Sequence, residues 1–291
     1  MDLSALVGLA LRASICLIVF SLGLGSTHQD ALYLFRHPGQ LVRSLFAMNV
    51  IMPLVAAALA APFGLNPAQQ LTLIALSVSP VPPILPKKEL SAGGRASYAV
   101  SLLVTAALLA IVLVPLSLRL LAPLFSVEAH MPMHIVARLV AITVVIPVGA
   151  GIVVRWLAPG LAARLAPKIS LGALVLLALA VVMILWSAWP AAWLMVGDGR
   201  VLALAVFVVI GLVVGHLLGG PSPEDRTVLA LSAAQRHPGM ALAIAGALFP
   251  QHQKLVTGGI VLYLLVGTIL SVPYLIWRRR QPAPVPGAAR T

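Results

Sequence analysis

The chain has almost no acid. Of 291 residues only 7 are Asp or Glu, 9% are charged in all, and 61% are hydrophobic. A soluble domain carries roughly 25% charged residues. Seven carboxylates cannot solvate a globule of 30.4 kDa with mean hydropathy +1.07, which excludes a soluble enzyme with a large core. The single cysteine, Cys16, permits no internal disulfide and reads as a small buried hydrophobe in an apolar run. H-E-x-x-H, P-loop, G-x-S-x-G and GxGxxG elements are all missing, so neither an enzyme nor an ATP-driven pump has motif support. No metal-ligand cluster and no cofactor are expected.

What is present is long apolar runs. They last roughly 20 residues, not the ~10 alternating residues of barrel strands, so they specify α-helices that span a bilayer. Spans are expected at about 5–25, 41–63, 67–91, 96–124, 132–157, 169–190, 200–219, 223–249 and 253–277. The fold class is therefore an all-α polytopic membrane protein with about nine transmembrane helices. The N-terminus lacks a basic n-region and an A-x-A-like site, so 5–25 reads as a retained helix. The Pro-rich end, 278–291, is expected to be a disordered cytoplasmic tail.

A net charge of +12 raises nucleic acid as a partner, but the cations lie mostly between spans, where topology explains them. Arg36, Arg43, Arg95, Arg155, Arg164, Lys168, Arg226, Arg278, Arg279, Arg280 and Arg290 fall on one side. Arg12, Arg119, Arg138, Arg200 and Lys254 fall on the other. The excess implies N-out, C-in. Lys87, Lys88 and Arg236 are left inside spans.

Two spans are interrupted. NPAQQLTLIALS meets Pro80, Pro82, Pro83 and Pro86, which no continuous helix tolerates. Pro223–Gln235 meets Arg236-His237-Pro238-Gly239, and a second apolar half follows. Asn66-Pro67 and Ser222-Pro223 each place an N-cap before a proline at the first helical position. IALS (74–77) and LALS (229–232) follow, about half a chain apart. This pattern predicts an inverted repeat with paired discontinuous helices and a midplane site, as in secondary transporters. The stretch Lys87–Arg95 reads either as the inner half of the first broken helix or as a cytoplasmic loop.

FSLGL (20–24), LFRHP (34–38), IMP (51–53), the break at Pro80 and the break ending in Gly239 together resemble the bile acid:sodium symporter family, including its bacterial members. The likeness runs from about residue 15 to 277. It implies two inverted five-helix repeats, with a panel domain moving against a core whose two broken helices cross. The chain then looks like it lacks the first family helix. The first repeat would be 1–127 and the second 128–277, in a bacterial inner membrane.

This sequence departs from the family at its sodium ligands. A ligand Gln maps to Met48, a Ser-Asn pair to Leu85-Pro86, a Glu to Ser232 and a second Gln to Arg236. Hard cations need oxygen ligands. These side chains supply one hydroxyl, so sodium is doubtful, although backbone carbonyls remain available.

The expected function is a secondary carrier of a small organic anion by alternating access, independent of sodium. A sodium-coupled symporter with backbone ligands and an anion channel are the alternatives. The expected substrate-binding residues are Asn49, Pro80, Lys87, Lys88, Arg236, His237 and Gly239. Pro82, Pro83, Pro86 and Pro238 are expected to break the helices. Asn49 suits either substrate contact or a helix-helix hydrogen bond. His237 suits either a substrate carboxylate or a freed carbonyl. Glu89 is the nearest counter-charge to the two lysines in sequence. Glu128, Asp198, Glu224 and Asp225 read as loop residues.

Overall fold

The computed structural model describes residues 3–281 except 61, 64, 66, 122–131, 194, 195, 197, 198, 249, 250 and 252. Its spans are α1 (Leu3–Gly25), α2 (Pro38–Ala60), α5 (Ala96–Leu121), α6 (Met133–Leu157), α7 (Pro159–Trp193), α8 (Arg200–Leu218) and α11 (Gln253–Arg280). Two further spans are broken. One is α3 (Pro67–Val78) followed by α4 (Leu85–Ser91); the other is α9 (Pro223–Ala234) followed by α10 (Pro238–Leu248). Nine passes among the described residues agree with the hydropathy. The stretch at Lys87 is helix over Leu85–Ser91, the second half of a broken helix rather than a loop.

Two boundaries differ from expectation. α7 begins at Pro159 rather than near 169, and runs through Pro167. The carbonyl that Pro167 leaves unpaired belongs to Ala163, which is exposed, so the helix continues past it. α11 runs to Arg280, so residues 278–280 are not part of a disordered tail. Arg278 is buried and donates to Thr227 Oγ1 at 2.7 Å and to the Pro223 carbonyl at 2.9 Å, which holds this end of α11 to the start of α9. Residues 282–291 lie outside the described residues. Pro86 and Pro238 do not break helices: they sit in the first turns of α4 and α10, where a missing N–H costs nothing.

The Ser222 and Asn66 caps fare differently. Asn66 lies outside the described residues. Ser222 holds the N-cap position of α9 with extended ψ of 128°, but its hydroxyl makes no cap bond and accepts from Arg95 Nη2 at 3.2 Å. Arg95 also donates to Asp225 at 2.7 Å, and Asp225 accepts from Gln40 at 2.7 Å. Asp225 is thus a buried tie between α2, the α4–α5 junction and α9, not a loop residue. Burial works against the Arg95 charge, but the Asp225 carboxylate more than offsets it and holds the guanidinium above its ordinary range.

α1 packs against α6 and α7. Where α1 crosses α6, Gly23 faces Gly151, and a Cβ on Gly151 would lie 2.7 Å from the Leu24 nitrogen. α3 packs on α10, while α4 packs on α9. The two broken helices therefore cross at their interruptions, and α2, α5, α8 and α11 surround the crossing.

Candidate functional site at the helix crossing

The first interruption spans Ser79–Ile84 and the second Gln235–His237. Helix carbonyls are paired by the N–H four residues on, or three in a tighter turn. For Ser79 those positions are Pro83 and Pro82, which have no N–H. Its carbonyl is left open, and Arg236 Nη1 donates to it at 3.2 Å. The Pro80 carbonyl accepts the His237 N–H at 3.0 Å, so the two breaks are joined backbone to backbone.

A second open carbonyl arises in α2. Residues Ala47–Ile51 form a π turn, and the Met52 N–H bonds back to Ala47 rather than to Met48. The next donor in line would be residue 53, which is proline. The Met48 carbonyl is therefore free, and Arg236 Nη2 donates to it. The IMP stretch and the proline run thus each release a backbone acceptor, and one guanidinium takes both.

Arg236 is 1% exposed, and its Nε has no partner among the described residues. No carboxylate stands within ion-pair range of it there; the ion pairs are those of Arg95 with Glu224 and Asp225. Its backbone N–H donates to Tyr263 Oη at 2.8 Å, and Tyr263 donates to the Ala234 carbonyl at 2.7 Å. Tyr263 so terminates α9. At the head of α10, His237 Nδ1 accepts the Met240 N–H at 3.2 Å. That bond fixes Nδ1 as the acceptor and leaves Nε2 as the donor of a neutral ring.

A cavity of ≈270 Å³ opens beside these groups. Its floor is Pro82, Pro83, Ile84, Lys88 and residues 235–239 of the two breaks. Its opposite wall is apolar: Leu11, Ile15 and Ile18 from α1, with Leu177, Val181, Ile184 and Leu185 from α7. α11 contributes Tyr263, Gly267 and Thr268. The volume is close to the lower end of small-molecule sites, about 300 Å³. Lys88 reaches Gln235 Oε1 at 3.5 Å, and Gln235 donates to Ser271 at 3.0 Å.

Of the expected binding residues, Lys88, Arg236, His237 and Gly239 border this cavity, with Pro82, Pro83 and Pro238. Lys87 and Asn49 are half-buried and do not border it, and Pro80 serves through its carbonyl. Glu89 is not a partner of the lysines; its Oε1 accepts from Ser232 at 2.6 Å. Sequence reasoning missed Gln235, Tyr263, Thr268 and Ser271. A signal existed: Tyr263, Gly267 and Ser271 recur every fourth residue along an otherwise apolar helix, which puts them on one face.

Gly239→Leu is expected to reduce transport several-fold while leaving the yield of folded protein near wild type. A Cβ there meets the His237 ring, Cε1 at 3.1 Å, which can shift, and the rest of the side chain fills cavity space. Uptake measured beside gel-filtration profiles checks this, and normal uptake would remove Gly239 from the site.

Paired broken helices that cross at their interruptions, with a cavity at the crossing, are the arrangement in which secondary transporters hold their substrates. The sequence matches the Sodium Bile acid symporter family over residues 13–189. The chain belongs to that family, and is a transporter of the bile acid symporter type. Compared with curated proteins it has no significant match.

Proposed function

We propose that the protein carries a small organic anion by alternating access without sodium, with Arg236 standing in the place of the coupling cation. The observation that carries this reading is the buried guanidinium on the cavity floor, bonded to the neutral carbonyls of Met48 and Ser79 and facing no carboxylate among the described residues. An uncompensated cation at membrane depth is costly, and an anionic ligand offsets it. Lys88 and the N-terminus of α10 add positive potential on the same floor. The aliphatic wall from α1 and α7 suits an anion with an apolar body.

The α1–α6–α7 group corresponds to the moving panel and the remaining helices to the core, in repeats spanning 1–127 and 128–277. The charge distribution supports N-out and C-in in a bacterial inner membrane. A sodium symporter using backbone ligands is disfavoured, because Arg236 occupies two of the open carbonyls. An anion channel would need a polar path beyond the cavity, whose far wall is aliphatic.

Uptake of carboxylates and sulfates into proteoliposomes, with choline in place of sodium, tests the proposal. Saturable uptake and counterflow should persist unchanged in choline. Loss of wild-type uptake in choline would overturn sodium independence, and large unsaturable currents would overturn the carrier.

A further inference from the structure

Glu89 does not border the cavity, yet its carboxyl is 0% exposed, against 4% for Asp225. It lies on α4, which packs between α5 and α9. Oε1 accepts from Ser232 at 2.6 Å, and Oε2 has no hydrogen-bond partner among the described residues. We propose that the Glu89 carboxyl is a proton-binding site whose loading and release couple the movement of the anion to that of a proton; the coupling, though not the site, rests on the carrier reading above.

The charged groups on the surrounding elements are all engaged elsewhere or set apart. On α4 itself, Lys88 reaches Gln235 and Lys87 is half-buried. At the start of α5, Arg95 pairs with Asp225, and the Tyr98 hydroxyl bonds Ser44 at 2.7 Å. On α9, Asp225 is taken by Arg95 and Gln40, and Arg226 donates to the Gly220 carbonyl at 2.7 Å. Arg43 of α2 donates to Gly39, and Arg279 of α11 donates to Ser91. No cation forms an ion pair with Glu89 among the described residues.

An ionised carboxylate in this setting would carry a buried charge with a single hydroxyl donor. Burying it so costs far more than burying the neutral acid. The conformation seen here therefore holds the proton, placed on Oε2 because Oε1 accepts from Ser232. Proton exchange requires water to reach a carboxyl that α5 and α9 now seal, which confines it to a step that parts α4 from its neighbours.

The link to the anion is electrostatic. Arg236 and Lys88 give the cavity floor its positive charge, and Lys88 is the residue next to Glu89. A protonated Glu89 leaves that charge whole; an ionised one offsets part of it across a medium of low dielectric. Proton binding thus strengthens anion binding, and by linkage the anion strengthens proton binding. One proton and one monovalent anion load on one side and leave on the other, with no net charge moved.

Two measurements test this. Infrared difference spectra of the purified protein across a pH jump should show a protonated carboxyl band at neutral pH that is lost in Glu89→Gln. In Ser232→Ala the band should persist and shift to higher wavenumber, because the carbonyl loses its donor. Absence of the band in wild type, or its survival in Glu89→Gln, would overturn the site. The second measurement uses butanesulfonate, a small anion with an apolar body that suits the ≈270 Å³ cavity and whose sulfonate does not titrate, in proteoliposomes. An inward proton gradient should raise its accumulation by about tenfold per pH unit at one-to-one coupling. A protonophore should abolish that rise, and Glu89→Gln should lose it while keeping counterflow. Equal gradient-driven accumulation in wild type and Glu89→Gln would overturn the coupling. Absence of counterflow in both proteins counts against the carrier reading alone, and the infrared band then decides the proton site by itself.

Discussion

Arg236→Gln should lower anion uptake by roughly tenfold or more without lowering thermal stability. The two effects separate because they have different causes. Glutamine can keep one amide donor for the carbonyls of Met48 or Ser79, so the crossing retains part of its bonding. It removes the fixed charge, and losing one partner of a buried charge pair costs about 2–5 kcal/mol of binding. Against this, an arginine at membrane depth costs about 2.5–3.5 kcal/mol on insertion scales, so its removal relieves the fold. Arg236→Lys should fall between, since an ammonium keeps the charge but not the fork that spans both carbonyls. Counterflow assays and melting curves in detergent check both halves. Unchanged uptake in Arg236→Gln would make the arginine a structural strut only.

Gly215→Val should abolish folded protein, whereas Gly149→Val should be nearly neutral. Gly211 and Gly215 on α8 and Gly219 at its C-cap recur every fourth residue and form the face on which α9 rests. A Cβ on Gly211 would lie 2.7 Å from the Cα of Ala234, and one on Gly215 would lie 2.5 Å from the Cα of Ala230. The neighbours are backbone and cannot rotate away. Overpacking costs about 1–3 kcal/mol where side chains can adjust, and more is expected here. Gly149 has nothing within 4 Å. The yield of monodisperse protein after extraction distinguishes them. Wild-type yield of Gly215→Val would mean that α8 and α9 do not pack this closely.

The sequence made the nine passes legible because length and hydropathy act locally: about 20 apolar residues must span a bilayer wherever they fall. It made both interruptions legible for a similar reason. A proline removes a donor at a known position, so Pro82 and Pro83 mark the first break, whereas Pro53 leaves the Met48 carbonyl open only together with the π turn at Ala47–Ile51, which the sequence does not show. Arg236, Lys88 and His237 stood out because charged or titratable groups are rare in so apolar a chain. The limits were as physical. Pro86 and Pro238 look like breakers in a string, yet the same ring is harmless in a first turn, and only the position of each helix start tells the cases apart. The end of α11 misled because an Arg-rich stretch reads as solvated until a partner such as Thr227 appears beside Arg278.

Local chemistry therefore determined that this chain is a helical membrane protein with two broken spans and a cation at one break. Only the tertiary structure decided what that cation holds, because Ser79 and Met48 lie 157 and 188 residues from Arg236. It also decided that Glu89 faces Ser232, 143 residues away, rather than the lysines beside it. Neighbours in a helix point around its axis, so adjacency in sequence separates side chains. Which distant groups then meet depends on how the two broken helices cross, and that is set by packing among all nine passes.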